Sequence, residues 1–289
     1  MPERAPERSA SGGAALPGGA KRDPILVADG LRRAFSGIRA VDVDHLEIAR
    51  GAVTAIIGPN GAGKTTLFNL LSGFDRPDAG TWSLDGKRLN GLPAHRISRL
   101  GMVRTFQLTR VLARLTVLEN VAVAAPGQSG ERLDRALLRR RWRDQERQVR
   151  ARARTLLQRF GIDHMADQPA DALSGGQRKL LEMARALMTQ PRLIMFDEPT
   201  AGVNPALTQS LLGHVRKLQA EGLTIVFIEH DMDVVMGISD WVVVMAQGRI
   251  LAEGPPADIV AHAGVIEAYL GRAHGLEKGG ATESEASRD

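Results

Sequence analysis

The chain has 289 residues, 25% of them charged and 43% hydrophobic, with a formal net charge of +5 and no cysteine. That make-up suits one large globular domain or two small ones, and it excludes a disulfide framework, a thiol nucleophile and a cysteine-based zinc site. The longest apolar runs, such as residues 223–228, have strand length and fall far short of the ~20 residues of a membrane-spanning helix.

Residues 1–22 are rich in Ala, Gly, Pro and Ser without periodicity, which predicts a disordered tail. No apolar stretch of signal-peptide length lies there, so a cytosolic protein is expected. An apolar run at 52–57 is followed by glycines; a helix is then predicted over 65–71, with Gly73 as its stop. From 131 to 160 arginines crowd the chain, while Leu133, Leu137, Leu138, Trp142, Val149, Ala153, Leu156, Leu157 and Phe160 recur at near-helical intervals. This reads as an amphipathic helical region with a solvated arginine face over a packed apolar stripe. Contact with lipid headgroups or another polyanion is the alternative. Residues 193–196 form another buried-strand run. Asn204 and Pro205 open a helix as N-cap and first-turn proline, and Gly222 closes it. Two more apolar strands follow at 223–228 and 241–245, and a polar tail after Arg272. Continuous apolar strands alternating with helices argue for an α/β fold, a parallel sheet covered on both faces. The positive charge is spread thinly and aromatics are 4%, so no nucleic-acid partner is expected.

Three segments carry chemistry. Gly58-Pro59-Asn60-Gly61-Ala62-Gly63-Lys64-Thr65 fits G-x-x-x-x-G-K-[ST] between a strand and a helix, the context that pattern requires. Its glycines let backbone N–H groups turn inward around phosphate oxygens, Lys64 adds a charge for the β/γ-phosphates, and the Thr65 hydroxyl can ligate Mg²⁺. The run 193–198 ends a buried strand in Asp197 and Glu198. Beside a phosphate loop, Asp197 can reach the Mg²⁺ shell and Glu198 an attacking water, because phosphoryl transfer needs positioning and charge neutralisation above all. Leu173-Ser174-Gly175-Gly176-Gln177 precedes a helical pattern. Ser174 and Gln177 form a capping box there, and a capped helix start with two glycines is also an anion cradle. One nucleotide needs one cradle, so a second suggests service to another molecule's nucleotide.

With these motifs the chain resembles the nucleotide-binding subunit of an ABC transporter over residues 25–271, nearly everything but the tails. The resemblance implies a P-loop NTPase fold with a RecA-like core at 23–103 and 173–271, an inserted helical subdomain at about 104–172, and tails at 1–22 and 272–289. It implies ATP and Mg²⁺ as ligands. Gly58 to Thr65 correspond to Walker A, with Thr66 beside them. Residues 193–197 correspond to Walker B, with Glu198 as catalytic glutamate and Lys64 and His230 as its catalytic partners. Arg104-Thr105-Phe106-Gln107 is similar to the Q-loop, so that Thr65, Gln107 and Asp197 would serve the metal. Ser174, Gly175, Gly176 and Gln177 would bind ATP in trans. Phe35, 23 positions before Gly58, stands where the family stacks an aromatic on adenine; ordinary core packing is the alternative. Ala201-Gly202-Val203-Asn204 replaces the common Ser-Ala-Leu-Asp of the D-loop, and Asn204 serves equally as a helix N-cap.

Within the family the likeness is greatest to ATPases of branched-chain amino acid importers. Glu229-His230-Asp231-Met232, Met236-Gly237-Ile238-Ser239-Asp240, Ala252-Glu253-Gly254-Pro255 and Val265-Ile266-Glu267-Ala268-Tyr269-Leu270-Gly271 carry it. The implied function is ATP hydrolysis powering solute import, on the inner face of the cell membrane. The implied partners are separate permease subunits docked near Gln107 and residues 108–120, a second ATPase (a copy or a paralogue) and, indirectly, a solute-binding protein. Importers of urea or amides, lipopolysaccharide-export ATPases and non-transport ABC ATPases share parts of this pattern. A stand-alone P-loop kinase would have no use for Ser174 to Gln177.

Overall fold

The structure is a computed structural model that describes residues 18–105, 111–127 and 139–270. In chain order its elements begin with β1 (Pro24–Phe35), β2 (Ile38–Ala49), β3 (Val53–Ile57), α1 (Lys64–Leu71), β4 (Ala79–Leu84), β5 (Lys87–Arg88) and α2 (Ala94–Arg99). There follow β6 (Met102–Arg104), α3 (Val117–Ala122), α4 (Arg139–Arg159), α5 (Gly175–Met188), β7 (Leu193–Asp197) and α6 (Pro205–Ala220). The chain continues through β8 (Thr224–Ile228), α7 (Met232–Ile238), β9 (Trp241–Ala246), β10 (Arg249–Gly254), α8 (Pro256–Val260) and α9 (Ala263–Leu270).

A six-stranded sheet runs in the order β10-β9-β3-β8-β7-β6. Its pairings are parallel except β9 with β10. Every residue of β3, β7 and β8 is buried, which explains their unbroken apolar runs: both sheet faces are covered. Successive side chains alternate between the two covers. Val53, Ala55, Ile57, Ile194, Phe196, Ile225 and Phe227 face a core shared with α3, α4, α5 and α6. Ile56, Leu193, Met195, Val226 and Ile228 face α1 and the antiparallel strands. Each such side chain contributes about 1.5–3 kcal/mol by leaving water.

An antiparallel layer, order β2-β1-β4-β5, stands beside the expected parallel sheet. In β1 the consecutive Arg32 and Arg33 interrupt an apolar alternation, and the pairing with β4 shifts register between Asp29 and Arg32. Gly80 lies at that shift with φ +95, where a Cβ would sit 2.3 Å from the Gly30 carbonyl oxygen. Only glycine lets the two backbones approach so closely. Residues 18–22, placed in the N-terminal tail by composition, are held against the sheet. Gly18 and Gly19 N–H groups donate to Glu253 Oε1 at 2.7 and 2.9 Å, and Lys21 Nζ and Trp241 Nε1 donate to Oε2 at 2.8 and 2.9 Å. Glu253 is buried, and a buried carboxylate needs such a full set of donors. Residues 1–17 and 272–289, the rest of the expected tails, lie outside the described residues, as do Gly271, Leu133, Leu137 and Leu138.

On α4, Ala153 and Leu157 are buried, with Phe160 just beyond it. Arg147 and Arg150 stand exposed and pair with Asp144 and Glu146, as the solvated-face reading requires. Among the described residues no helix is long and apolar enough to cross a membrane.

Between β1 and β2, His45 Nδ1 lies 2.6 Å from Asp29 Oδ1 and Nε2 lies 3.2 Å from Glu47 Oε1. Partial burial disfavours the imidazolium, but the hydrogen bonds to Asp29 and Glu47 outweigh it and raise the pKa above its ordinary value. This pair of contacts therefore adds stability below the unfolded-state pKa of about 6.5, and loses it as pH rises through the raised folded value. His45→Gln is expected to lower the urea midpoint at pH 6 and to leave it nearly unchanged at pH 9. Equal losses at both would show that the charge of His45 adds nothing.

Candidate functional site

Strand register sets the site. Ile56 of β3 and Asp197 of β7 both lie opposite Ile228 of β8, so the three strands end almost level. The segments that follow them therefore emerge on one edge: residues 58–65 after β3, Glu198 after β7, and Glu229 and His230 after β8. Ligands of parallel α/β sheets gather beyond the carboxyl ends of the strands.

The loop after β3 is built from positive-φ glycines: Gly58 at 146°, Gly61 at 79° and Gly63 at 96°. A Cβ on Gly58 would lie 2.1 Å from the Met245 carbonyl oxygen, and one on Gly63 2.2 Å from that of Ala40. Backbone packing as well as conformation thus demands glycine at both. Gly63 caps α1, whose first residues are Lys64, Thr65 and Thr66, leaving the helix N-terminus open to an anion. Lys64 Nζ donates to the carbonyls of Gly58 at 2.7 Å and Pro59 at 3.1 Å, closing the loop on its own backbone. Asn60 and Gly61 are exposed at the loop tip, and Ala62 is buried beneath it.

Asp197 is buried at the end of β7. Glu198 follows with φ +49, a left-handed conformation uncommon for glutamate, and its N–H donates to the Ile228 carbonyl at 3.0 Å. Its Oε1 lies 3.9 Å from His230 Nδ1. His230 is mostly exposed, so it is no core histidine. Thr65 and Asp197 supply hard oxygen donors. Among the described residues no cluster of three His, Cys, Asp or Glu could cage a metal. That donor set fits Mg²⁺, which is commonly held by one or two protein oxygens together with substrate phosphates. Gln107 lies outside the described residues.

Ser174 caps α5. Its Oγ accepts from the Gln177 N–H at 3.3 Å, and Gln177 Oε1 accepts from the Ser174 N–H at 2.9 Å. Gly175 has open space around its Cβ position, whereas a Cβ on Gly176 would meet Leu207 Cδ2 at 1.6 Å. The glycine lets the start of α5 lie against the start of α6. Asn204 is the N-cap of α6, accepting from the Leu207 N–H at 2.9 Å. Phe35 is 46% exposed, which removes core packing as its role. It sits at the β1–β2 hairpin, with the Arg33 guanidinium 4.6 Å from the ring centroid, and Ala40 on the same hairpin touches the Gly63 position.

Several residues that join these parts were given no role in the site from sequence. Glu229, fully buried, accepts from the Thr200 N–H at 3.1 Å and Oγ1 at 2.5 Å, and from the His230 N–H at 3.3 Å. Lys179 of α5 donates to the Glu198 carbonyl at 3.4 Å. Partial burial pushes the Tyr269 phenol above its ordinary pKa, partly offset by the Gly58 backbone. None is legible beforehand, because each contact joins distant segments.

A glycine loop on a parallel sheet edge, acids at the neighbouring strand end and a second capped glycine helix define an ATP-binding cassette. A profile of the ABC transporter family matches residues 41–201, and one of the branched-chain amino acid ATP-binding cassette transporters matches residues 249–275. The chain belongs to this family of ATP-hydrolysing transporter subunits, in its branched-chain amino acid group. It is 42% identical over 247 residues to a probable branched-chain amino acid transport ATP-binding protein, LivG, of Archaeoglobus fulgidus, covering 86% of this chain and 95% of the relative. Identity is 43% over 252 residues to the high-affinity branched-chain amino acid transport ATP-binding protein LivG of Escherichia coli, covering 86% and 99%. A crystal structure of a nucleotide-free ATP-binding cassette from an ABC transporter superposes with a TM-score of 0.74 at 36% identity, covering 85% of this chain and 98% of that one.

Proposed function

We propose that this cassette hydrolyses ATP to drive import of branched-chain or other hydrophobic amino acids through separate permease subunits, lying on the cytoplasmic face of the membrane. Family members work as dimers with membrane permeases and bind ATP, generally with Mg²⁺. The observation that carries the ATPase reading is the level ending of β3, β7 and β8, which sets Lys64, Asp197, Glu198 and His230 along one edge. The solute reading rests on the match over residues 249–275 and on the relatives' names.

In this reading the N–H groups of Gly61 to Thr65 and the Lys64 ammonium bind the β- and γ-phosphates. Phe35 stacks on the adenine. Thr65, Asp197 and Gln107 hold Mg²⁺, which when bound neutralises charge developing on the phosphate oxygens. Glu198 orients and polarises the attacking water, and His230 holds Glu198 and the γ-phosphate in line. Ser174, Gly175, Gly176 and Gln177 complete the site of the opposite subunit, a copy of this chain or a paralogue.

The test is ATP-driven uptake into vesicles containing this subunit, its permeases and its solute-binding protein, with labelled leucine, urea and acetamide compared. Leucine uptake that stops without ATP is expected. Preference for urea or acetamide would overturn the solute, and ATP-independent uptake would overturn the coupling.

A further inference from the structure

Arg104 ends β6, on the opposite side of β7 from β8. Its side chain is only 4% exposed and its guanidinium spans three parts of the site. One terminal nitrogen donates to Asp197 Oδ2 at 2.6 Å; the other donates to Asn69 Oδ1 at 2.6 Å and reaches Ser72 Oγ at 3.5 Å. Asn69 and Ser72 belong to α1 and its C-cap, and the Phe68 ring lies 5.5 Å from the guanidinium carbon. The next residue, Thr105, is fastened to β7 by its N–H, which donates to the Met195 carbonyl at 2.9 Å. A buried carboxylate without a counter-ion is strongly disfavoured, and here the counter-ion comes from the protein itself.

We propose that Arg104 is a built-in counter-ion which holds Asp197 when no metal is present and competes electrostatically with Mg²⁺ for it, setting the Mg²⁺ concentration at which the cassette binds nucleotide. This rests on the Mg²⁺–nucleotide reading of the site. Arg104 engages one carboxylate oxygen and fixes the orientation of the other, so its role is positioning. Two cations that share one carboxylate repel each other, and even at near-water dielectric that repulsion is enough for about a tenfold effect. The same guanidinium links the β7 acid to α1, so occupation of Asp197 by a metal is felt there.

The test is binding of a fluorescent ADP analogue titrated with MgCl₂, together with melting temperature in EDTA. Arg104→Met should lower the Mg²⁺ midpoint about tenfold, while Arg104→Lys, which keeps the charge, should stay near wild type. In EDTA Arg104→Met should melt several degrees below wild type, as expected for an uncompensated buried carboxylate, and adding Asp197→Asn should restore most of that loss. A midpoint unchanged or raised in Arg104→Met would overturn the competition. Equal destabilisation with and without Asp197→Asn would overturn the counter-ion role. Wild-type nucleotide binding that ignores Mg²⁺ altogether would instead overturn the reading of the site itself.

Discussion

Lys64→Ala is expected to weaken ATP binding by about a hundredfold or more and to abolish turnover, while lowering the melting temperature of the nucleotide-free chain by only a few degrees. Lys64 Nζ now donates to the Gly58 and Pro59 carbonyls. Phosphate oxygens carry far more negative charge than those carbonyls, so the ammonium would transfer to them. Each hydrogen bond to a charged group contributes roughly 1.5–3 kcal/mol, and two such bonds correspond to at least about two decades in affinity. The folded chain also loses those two carbonyl bonds, a cost partly offset because position 64 is the first residue of α1, where alanine is a favourable helix former. A fluorescent nucleotide titration measures the first effect and a thermal melt the second. Wild-type affinity in the variant would detach residues 58–65 from the nucleotide.

What could be read beforehand follows from the range of the interactions involved. The glycine loop, the capping box at Ser174 and the Asn204 cap are local: pattern and geometry lie within a few residues, and the structure reproduces both caps. Strands β3, β7, β8 and β9 were legible because burial on two faces makes them almost wholly apolar, whereas the three-residue β6 was not. The antiparallel layer was not, since β1 carries Arg32 and Arg33 in mid-strand, where they pair with Asp42, Asp44, Asp75 and Asp78. No periodicity survives such a strand. Phe35 shows the same limit differently, because nothing in its neighbours distinguishes a core aromatic from an exposed one. Arg104 is the strongest case. Its partner Asp197 lies 93 positions away, and only the pairing of β6 with β7 brings the two together.

The carboxylate beyond Asp197 leads to the prediction with the greatest reach. Glu198→Gln is expected to cut ATP hydrolysis about a hundredfold or more while leaving ATP affinity near wild type. The substitution keeps size and hydrogen bonding but removes the charge that would polarise water. The backbone at this position should tolerate it, since the φ of +49 and the N–H bond to the Ile228 carbonyl involve no side-chain atom. In the proposed dimer two chains stand head to tail, so that Lys64 and Thr65 of one face Ser174 and Gly176 of the other. ATP then joins the subunits, because its γ-phosphate supplies negative charge that both helix starts can neutralise. Hydrolysis followed by release of phosphate removes that charge from the junction. A variant that binds but does not cleave should therefore accumulate as an ATP-bound dimer, or as a heterodimer if a paralogue is the true partner. Gly176 leaves room for Leu207 of α6 beside the start of α5, where the second cradle lies. Light scattering of Glu198→Gln with and without ATP, alone and with any paralogue, reads the outcome directly. A monomer under every condition would remove the shared-site arrangement, and undiminished turnover would remove Glu198 from the chemistry.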